Sequence, residues 1–316
     1  VNEHHVIVGG SGFIGRHVGL LLARRGHRVT LAARHWPLDA FPPDVADRIS
    51  WRVLELGSAD WDKLVEDATI VHHYAWGSIP ASANFNPGGD LITNVSSTIG
   101  LLEALRRRGG GRIVFASSGG TVYGKIHETP VREDHPVAPI TAYGASKATA
   151  EIYLGLYRSL HGVDCRIARI ANPYGAGQDL ARGVGAVTTF LHKALAGEPI
   201  EIWGTGEVVR DFIHIADVAD CLVTLAQAPL SGEDFVFNIG SGTGVSLNAI
   251  VAELEIQLHR KLHVTRTEKR AFDVPINVLA IDRVKQTLGW APKISLVDGI
   301  ARTIADLTAN SKFSTL

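Results

Sequence analysis

Hydrophobic and polar positions along this chain follow two rhythms. The first apolar run, His4–Val8, is short and feeds directly into Gly9-Gly10-Ser11-Gly12-Phe13-Ile14-Gly15. Beyond it Ile14, Val18, Leu21 and Leu22 return at helical spacing until Gly26, and Arg28–Ala33 is strand-like again. Strand, glycine turn, helix and strand within about 30 residues predict a right-handed βαβ unit. The alternation continues with strands over 51–54, 69–73, 112–116 and 163–170. Between them a helix starts at 60–66, and longer helices cover 90–108 and 142–161. A loop holding Pro80 and Pro87 precedes the first long helix.

Apolar strands separated by helices predict an α/β fold: a Rossmann-type doubly wound parallel sheet covered on both faces. Ligands of such sheets bind at the carboxyl ends of the strands, where Gly9, His73, Ser117 and Asn172 fall. From Pro173 onward the pattern loosens. Helices are expected over 184–196, 216–226, 247–258 and 296–307, with short strands near Glu201 and over 235–239. This half reads as a smaller α/β lobe on the rim of the sheet, with some segments returning to the sheet itself.

Composition narrows the classes. The 316 residues suffice for one large or two fused domains. Lys+Arg 31 against Asp+Glu 32 leaves no basic field for nucleic acid or an anionic membrane. No apolar run reaches about 18 residues, and no leader segment stands out, so a cytoplasmic protein without membrane contact is expected. Cys165 and Cys221 sit in apolar stretches and read as small core residues in a reducing compartment. His72 and His73 continue a strand and must point to opposite faces, and His4 and His5 lack ligand spacing, so no metal is expected. Arg106-Arg107-Arg108 is explained by a helix C-terminus, which favours cations.

The candidate chemistry lies in Tyr143-Gly144-Ala145-Ser146-Lys147. On a helix, residues four apart share a face. An ammonium beside a phenol favours the phenolate and lowers a pKa that starts near 10. Such a pair can exchange a proton with a sugar hydroxyl near neutral pH, as hydride transfer to or from an alcohol requires. Taken alone, Tyr-x-x-x-Lys describes many exposed helix faces. The glycine turn changes its weight: Gly9 permits the turn, Gly12 admits a pyrophosphate, and Gly15 brings the helix close. The helix N-terminus then offers N–H groups and a positive dipole end to phosphate.

Seven ordered blocks make the chain resemble the extended short-chain dehydrogenase/reductase family, and within it the UDP-galactose 4-epimerase-like nucleotide-sugar enzymes. They are Gly9-x-x-Gly12-Phe13-Ile14-Gly15, Asn94, Ser117-Ser118-Gly119-Gly120-Thr121-Val122-Tyr123-Gly124 and Tyr143-x-x-x-Lys147. Arg169-Ile170-Ala171-Asn172-Pro173-Tyr174-Gly175, Arg210-Asp211-Phe212-Ile213-His214 and Arg270-Ala271-Phe272-Asp273 follow. The resemblance implies Tyr143 as acid/base, with Lys147 holding the nicotinamide ribose and tuning Tyr143. It places the cofactor against Gly9, Gly12, Phe13, Ile14, Gly15, Glu55, Leu56, Tyr74, Ala75, Ser78, Asn94 and Ser117. The family usually carries Asp where this chain has Glu55. Asn172, Arg210 and Arg270 are implied for the diphosphate, Asp273 for the ribose and Trp203 for the base, and a guanidinium suits phosphate in geometry and charge. Residues 1–171, with returning segments at about 208–242, form the implied dinucleotide-binding domain. Residues 172–207 and 243–316 form the implied nucleotide-sugar-binding lobe.

Two positions depart from the family pattern. Where a hydroxyl usually bonds the reacting oxygen this chain has Gly119, so Ser118, Thr121 or water must substitute; we favour Ser118. At the end of the second strand an Asp usually holds the adenosine ribose of NAD. Here Ala33 is followed by Arg34, which leans the cofactor toward NADP, with NAD still open. The expected activity is 4-epimerisation of a nucleotide sugar by transient oxidation at C4. The alternatives are an NADPH-dependent reductase of a 4-keto-6-deoxy nucleotide sugar and a non-catalytic cofactor-sensing protein. The segment Ser118-Gly119-Gly120-Thr121 lacks the acid a dehydratase wants. Relatives pair the two long helices as a four-helix bundle, so a homodimer is expected.

Overall fold

Val6 and Val8 of the first strand, β1 (His4–Val8), face one side of a sheet and Ile7 the other, and all three are fully buried. Burial on both faces is what a central parallel strand requires. The computed structural model describes residues 3–35, 41–180, 183, 185–230, 232–268 and 274–311. After β1 come α1 (Phe13–Arg24), β2 (Arg28–Ala33), β3 (Ile49–Val53), α2 (Trp61–Val65) and β4 (Ile70–His73). Then follow α3 (Pro80–Phe85), α4 (Pro87–Arg107), β5 (Arg112–Ser118), α5 (Ala142–His161), β6 (Asp164–Ile170) and β7 (Asn172–Tyr174). The second half holds α6 (Ala186–Ala196), β8 (Ile200–Trp203), β9 (Val209–His214), α7 (Ile215–Gln227), β10 (Val236–Ile239) and β11 (Gly244–Ser246). It ends with α8 (Leu247–Gln257), β12 (Val264–Thr267), β13 (Ile276–Asn277), α9 (Asp282–Leu288) and α10 (Leu296–Ser311).

Seven strands form one parallel sheet in the order β10-β6-β5-β4-β1-β2-β3. The strand order reverses between β1 and β4, and that switch point opens a crevice above their carboxyl ends. On one face α1 and α7 pack together over Ile7, Leu22, Leu31 and Leu222. On the other, α2, α4 and α5 cover Val6, Val8 and Phe115 with Leu64, Leu101, Leu105 and Leu154. The expected doubly wound sheet is therefore present.

The loop expected around Pro80 and Pro87 is instead two helix starts. Each proline opens a helix, where its missing N–H removes no hydrogen bond and its fixed φ is already helical. Asn86 caps α4 by accepting from Gly89 N at 3.0 Å. In the second half, α7 and β10 return to the large sheet, while β9 pairs with β7, β11 and β13 in a sheet of its own. Helices α6, α8 and α10 close a separate core around Phe190, Leu191, Phe212, Ile250, Leu254 and Ile300. Strands β7, β11 and β13 are two or three residues long, too short to display a period-2 pattern in sequence.

Both cysteines are buried thiols. A buried cation carries more weight. Arg166 on β6 is fully enclosed, grips Asp164 with two hydrogen bonds of 2.9 and 3.0 Å, and donates to the carbonyls of Leu225 and Ala228. It ties the sheet to the end of α7. Arg166→Met keeps the volume but strands those carbonyls and leaves the Asp164 carboxylate to Arg112 alone. We expect it to lower unfolding free energy by about 2–4 kcal/mol, seen as a lower urea midpoint with an unchanged slope.

Candidate active site

The turn leaving β1 admits no side chains at two points. Gly9 has φ +88, and a Cβ there would lie 2.5 Å from Ala75 N in the segment that follows β4. A Cβ on Gly15 would meet Gly9 O at 2.2 Å, so the first turn of α1 sits directly on the loop. No side chain caps α1, whose N-cap is Gly12. Phe13, Ile14 and Gly15 thus begin a helix whose amide groups face the crevice end of the sheet, a built anion site.

Lys147 lies across the crevice from that turn, on α5. It is 3 % exposed, and its ammonium donates to Ala116 O of β5 at 2.7 Å. The Trp76 ring lies under it, Nζ being 3.7 Å from the ring centroid, with Phe115 at 4.7 Å and Tyr143 at 5.8 Å. An ammonium over an indole is attracted by the ring quadrupole. Burial nevertheless pushes its pKa down to about 7, against the opposing pull of Glu151 and Asp90. Tyr143 is half-buried and meets Trp76 edge to face, with centroids 6.3 Å apart. Tyrosine, lysine and tryptophan therefore cluster at the carboxyl ends of β4 and β5.

Two polar clusters hold this group. Asp90, buried on α4, accepts from the hydroxyls of Ser78 and Ser146 and from Asn94 Nδ2 at 2.8 Å. Asn94 in turn accepts from Gly77 N at 2.7 Å, fixing the segment after β4. Glu151, one turn beyond Lys147, pairs with Arg169 at 2.7 Å and accepts from the Ser117 hydroxyl. Asp90, Trp76, Ser146 and Glu151 were not singled out from sequence. Glu151 was legible as the i+4 neighbour of Lys147, whereas Asp90 and Trp76 join the site only through tertiary packing.

The remaining predicted residues divide by location. Ser118 ends β5, and Thr121 Oγ1 is buried without a hydrogen bond. Gly119 lies between them because a Cβ there would come within 2.5 Å of Leu279 Cδ1, and Asn277 donates to its carbonyl. The missing hydroxyl is thus a consequence of how the chain after β13 packs. Tyr74 turns its hydroxyl to His72 Nδ1 at 2.7 Å and packs in the core rather than opening toward the crevice, while the backbone of Tyr74 and Ala75 bonds Val8 O. His73 points to the opposite face, bonding Thr98 at 2.9 Å. Arg34 and Glu55 are exposed beyond β2 and β3, and Leu56 is half-buried with its carbonyl bonded by Ser97.

In the smaller lobe, Asn172 donates to Asp211 O and Arg210 to Val274 O at 2.7 Å. Trp203 is 39 % exposed and bonds Glu201 at 2.7 Å. Arg270 and Asp273 lie outside the described residues.

A model of the NAD dependent epimerase/dehydratase family matches residues 5–240. The chain belongs to this family. It is 31% identical over 313 residues to a putative UDP-glucose 4-epimerase of Methanocaldococcus jannaschii, covering 97% of this chain and 99% of that protein. It is also 31% identical over 324 residues to a dTDP-4-dehydro-6-deoxyglucose reductase of Escherichia coli, covering 96% of each. The crystal structure of a Thermus thermophilus UDP-glucose 4-epimerase in complex with NAD superposes with a TM-score of 0.86 at 27% identity, covering 96% of this chain and 99% of that one. The chain is thus an enzyme of the extended short-chain dehydrogenase/reductase type with a nicotinamide cofactor. Its described helices include none long and apolar enough to cross a membrane.

Two outcomes follow from this geometry. Gly119→Ser forces Leu279 out of place and should destabilise the fold by about 1–3 kcal/mol. Gly120→Ser, where the nearest atom to a Cβ is Ser118 Oγ at 3.8 Å, should leave the urea midpoint nearly unchanged. The Lys147 pKa falls on folding from 10.5 to about 7, so between those values the unfolded chain binds more protons and stability rises with pH. Each pH unit in that window adds up to about 1.4 kcal/mol. Urea titrations of cofactor-free protein from pH 6.5 to 10 should show the rise in wild type and lose it in Lys147→Met.

Proposed function

We propose that this enzyme is a nucleotide-sugar 4-epimerase acting on a UDP-glucose/UDP-galactose-like pair. The observation that carries the reading is the Lys147 ammonium buried on Trp76 beside Tyr143, at the switch point of the sheet. The close backbone approach at Gly9 and Gly15 and the uncapped start of α1 fit a dinucleotide pyrophosphate. A bound nicotinamide would supply the hydride acceptor, and on the return step the hydride donor, for C4 of the sugar.

This chain's residues do the rest. Tyr143 takes the proton of the 4-hydroxyl as a phenolate and returns it when the hydroxyl is remade. Lys147 favours that phenolate electrostatically and holds the ribose, its position fixed by Ala116 O. Asn94 keeps the backbone at Gly77 in place beside the cofactor. Ser118 and Thr121 flank Gly119 and supply hydroxyls for the reacting oxygen. Asn172, Arg210, Arg270, Asp273 and Trp203 form the nucleotide-sugar site. Arg210 donates to the carbonyls of Val209 and Val274, which hold its guanidinium in place, and a guanidinium suits phosphate in charge and geometry.

Arg34, exposed directly after Ala33, supports NADP as the dinucleotide. The same feature supports the second reading, an NADPH-dependent reductase of a 4-keto-6-deoxy nucleotide sugar, in which cofactor exchanges every turnover. Ile92 of α4 and Ile152, Leu156 and Leu160 of α5 are exposed on neighbouring helices. We assign that apolar face to a homodimer built as a four-helix bundle.

The test is to incubate purified protein with UDP-glucose and no added cofactor, following the anomeric proton by NMR. UDP-galactose should accumulate, and Tyr143→Phe should slow it by about 10²–10⁴. The dinucleotide released on denaturing the protein identifies NADP or NAD. Turnover only of a 4-keto substrate, with stoichiometric loss of NADPH, would replace this reading with the reductase.

A further inference from the structure

The end of the sheet away from the crevice carries a second polar cluster, outside any role in catalysis. Glu3 precedes β1, His5 is its second residue, and His27 immediately precedes β2. Strand pairing brings the three together, so no ligand spacing marks them along the chain. His5 Nε2 and His27 Nδ1 are buried and make no hydrogen bond. They lie 3.4 and 3.9 Å from Glu3 Oε2, and one ligand atom from each residue falls within 4.8 Å of the others.

From these contacts we infer that Glu3, His5 and His27 form a binding site for one first-row divalent cation of the zinc class. Two imidazoles and a carboxylate are a donor set such ions accept, with the fourth position left to water. Bonds of about 2.0–2.1 Å in a tetrahedron put neighbouring ligand atoms about 3.4 Å apart. The His5–Glu3 edge already has that length, the His27–Glu3 edge is 3.9 Å, and all three ligand atoms lie within 4.8 Å, so the triangle contracts mainly at His27.

The surroundings permit the tautomers that ligation needs. His5 Nδ1 is 2.9 Å from His72 Nε2, and His72 Nδ1 is 2.7 Å from the Tyr74 hydroxyl oxygen. With Nδ1–H of His5 donating to His72, and Nδ1–H of His72 donating to Tyr74, the Nε2 lone pair of His5 stays bare and aimed at Glu3. His27 Nε2 lies 2.9 Å from the Gln227 amide, which also reaches Glu3. Ligation through His27 Nδ1 moves the ring proton to Nε2, which the Gln227 amide then meets with its oxygen, giving up its bond to Glu3. His5 is fully enclosed and His27 8 % exposed, so both rings favour the uncharged form that ligates. The Glu3 side chain is 23% exposed, which gives an ion a route in. An ion here would tie the starts of β1 and β2 to the end of α7 through Gln227.

The experiment uses the full chain without a histidine tag, stripped by chelation and titrated with Co²⁺ and then Zn²⁺. Calorimetry should give one equivalent per chain in the micromolar range or tighter, Co²⁺ should show a visible ligand-field band, and Zn²⁺ should displace it. Thermal unfolding should shift up by about 4 °C at a hundredfold excess over Kd. His27→Ala and Glu3→Gln should each weaken Kd at least tenfold. His4→Ala should not, because the His4 ring bonds Asp67 and Thr30 instead. The milder Glu3→Gln keeps the comparison available if His27→Ala folds poorly. Absence of saturable binding in wild type, or unchanged affinity in Glu3→Gln, overturns the assignment, since the ion would then sit on other histidines.

Discussion

An ammonium withdrawn from water is the constraint around which this fold is arranged. Lys147 has almost no solvent contact, and an unpaired charge there would cost several kcal/mol. Three kinds of group offset that cost. The Ala116 carbonyl accepts one hydrogen bond, the Trp76 face supplies quadrupole attraction, and the carboxylates of Glu151 and Asp90 set a favourable field. Each comes from a different element, so β5, the segment after β4, α4 and α5 must all be in register for the lysine to be tolerated. The residual imbalance is what brings its pKa close to neutrality.

The groups around Lys147 are themselves held, and the chain of supports explains why distant segments belong to one site. Glu151 pairs with Arg169, which also donates to the Tyr123 hydroxyl and to Glu133 O. Tyr123 donates to Asn238 Oδ1 at 2.6 Å, and Asn238 N is bonded by Glu133. The loop after β5 is thereby fastened to β6 and β10 without an apolar core of its own beyond a small cluster around Val122, Val131 and Leu279. The Glu133 carboxylate is structural, holding the backbone amide of buried Asn238. Partnered buried charges of this kind fix a single arrangement, because each loses heavily if any neighbour shifts.

The large sheet was legible because its strands are buried on both faces and its helices run for many turns, so both periods show clearly. Tyr143, Lys147 and the glycine turn were legible for the same reason, being local patterns on long elements. Trp76 and Asp90 were not, since nothing in their own surroundings marks them; only the crossing of α4 and α5 brings Asp90 to Ser146. Gly119 shows the limit most plainly. Its lack of a side chain looked like a chemical departure, yet its cause lies 160 positions away, where Leu279 fills the space. The smaller lobe was the least readable part, because strands such as β11 and β13 are defined by pairing to β9 and not by any periodicity of their own.

The same two strands that carry the crevice at one end carry histidines toward the other, and one physical rule governs both. Along the α1 face, His5, His72 and Tyr74 form a file of hydrogen-bonded rings inside the sheet's covering layer. Burial holds His72 well below its ordinary pKa and pushes the Tyr74 phenol well above its own. Every member of the file is therefore neutral, and each neutral imidazole has one donor and one acceptor to place. Such a file can satisfy its interior members from one another, but its last ring always has a nitrogen left over. At the Tyr74 end the phenol absorbs the difference. At the other end His5 Nε2 has only Glu3 and the equally bare His27 Nδ1 before it. A proton on His5 Nε2 can pair with the Glu3 carboxylate, but His27 Nδ1 then keeps no hydrogen-bond partner among the described residues. An acceptor of lone pairs satisfies all three groups at once.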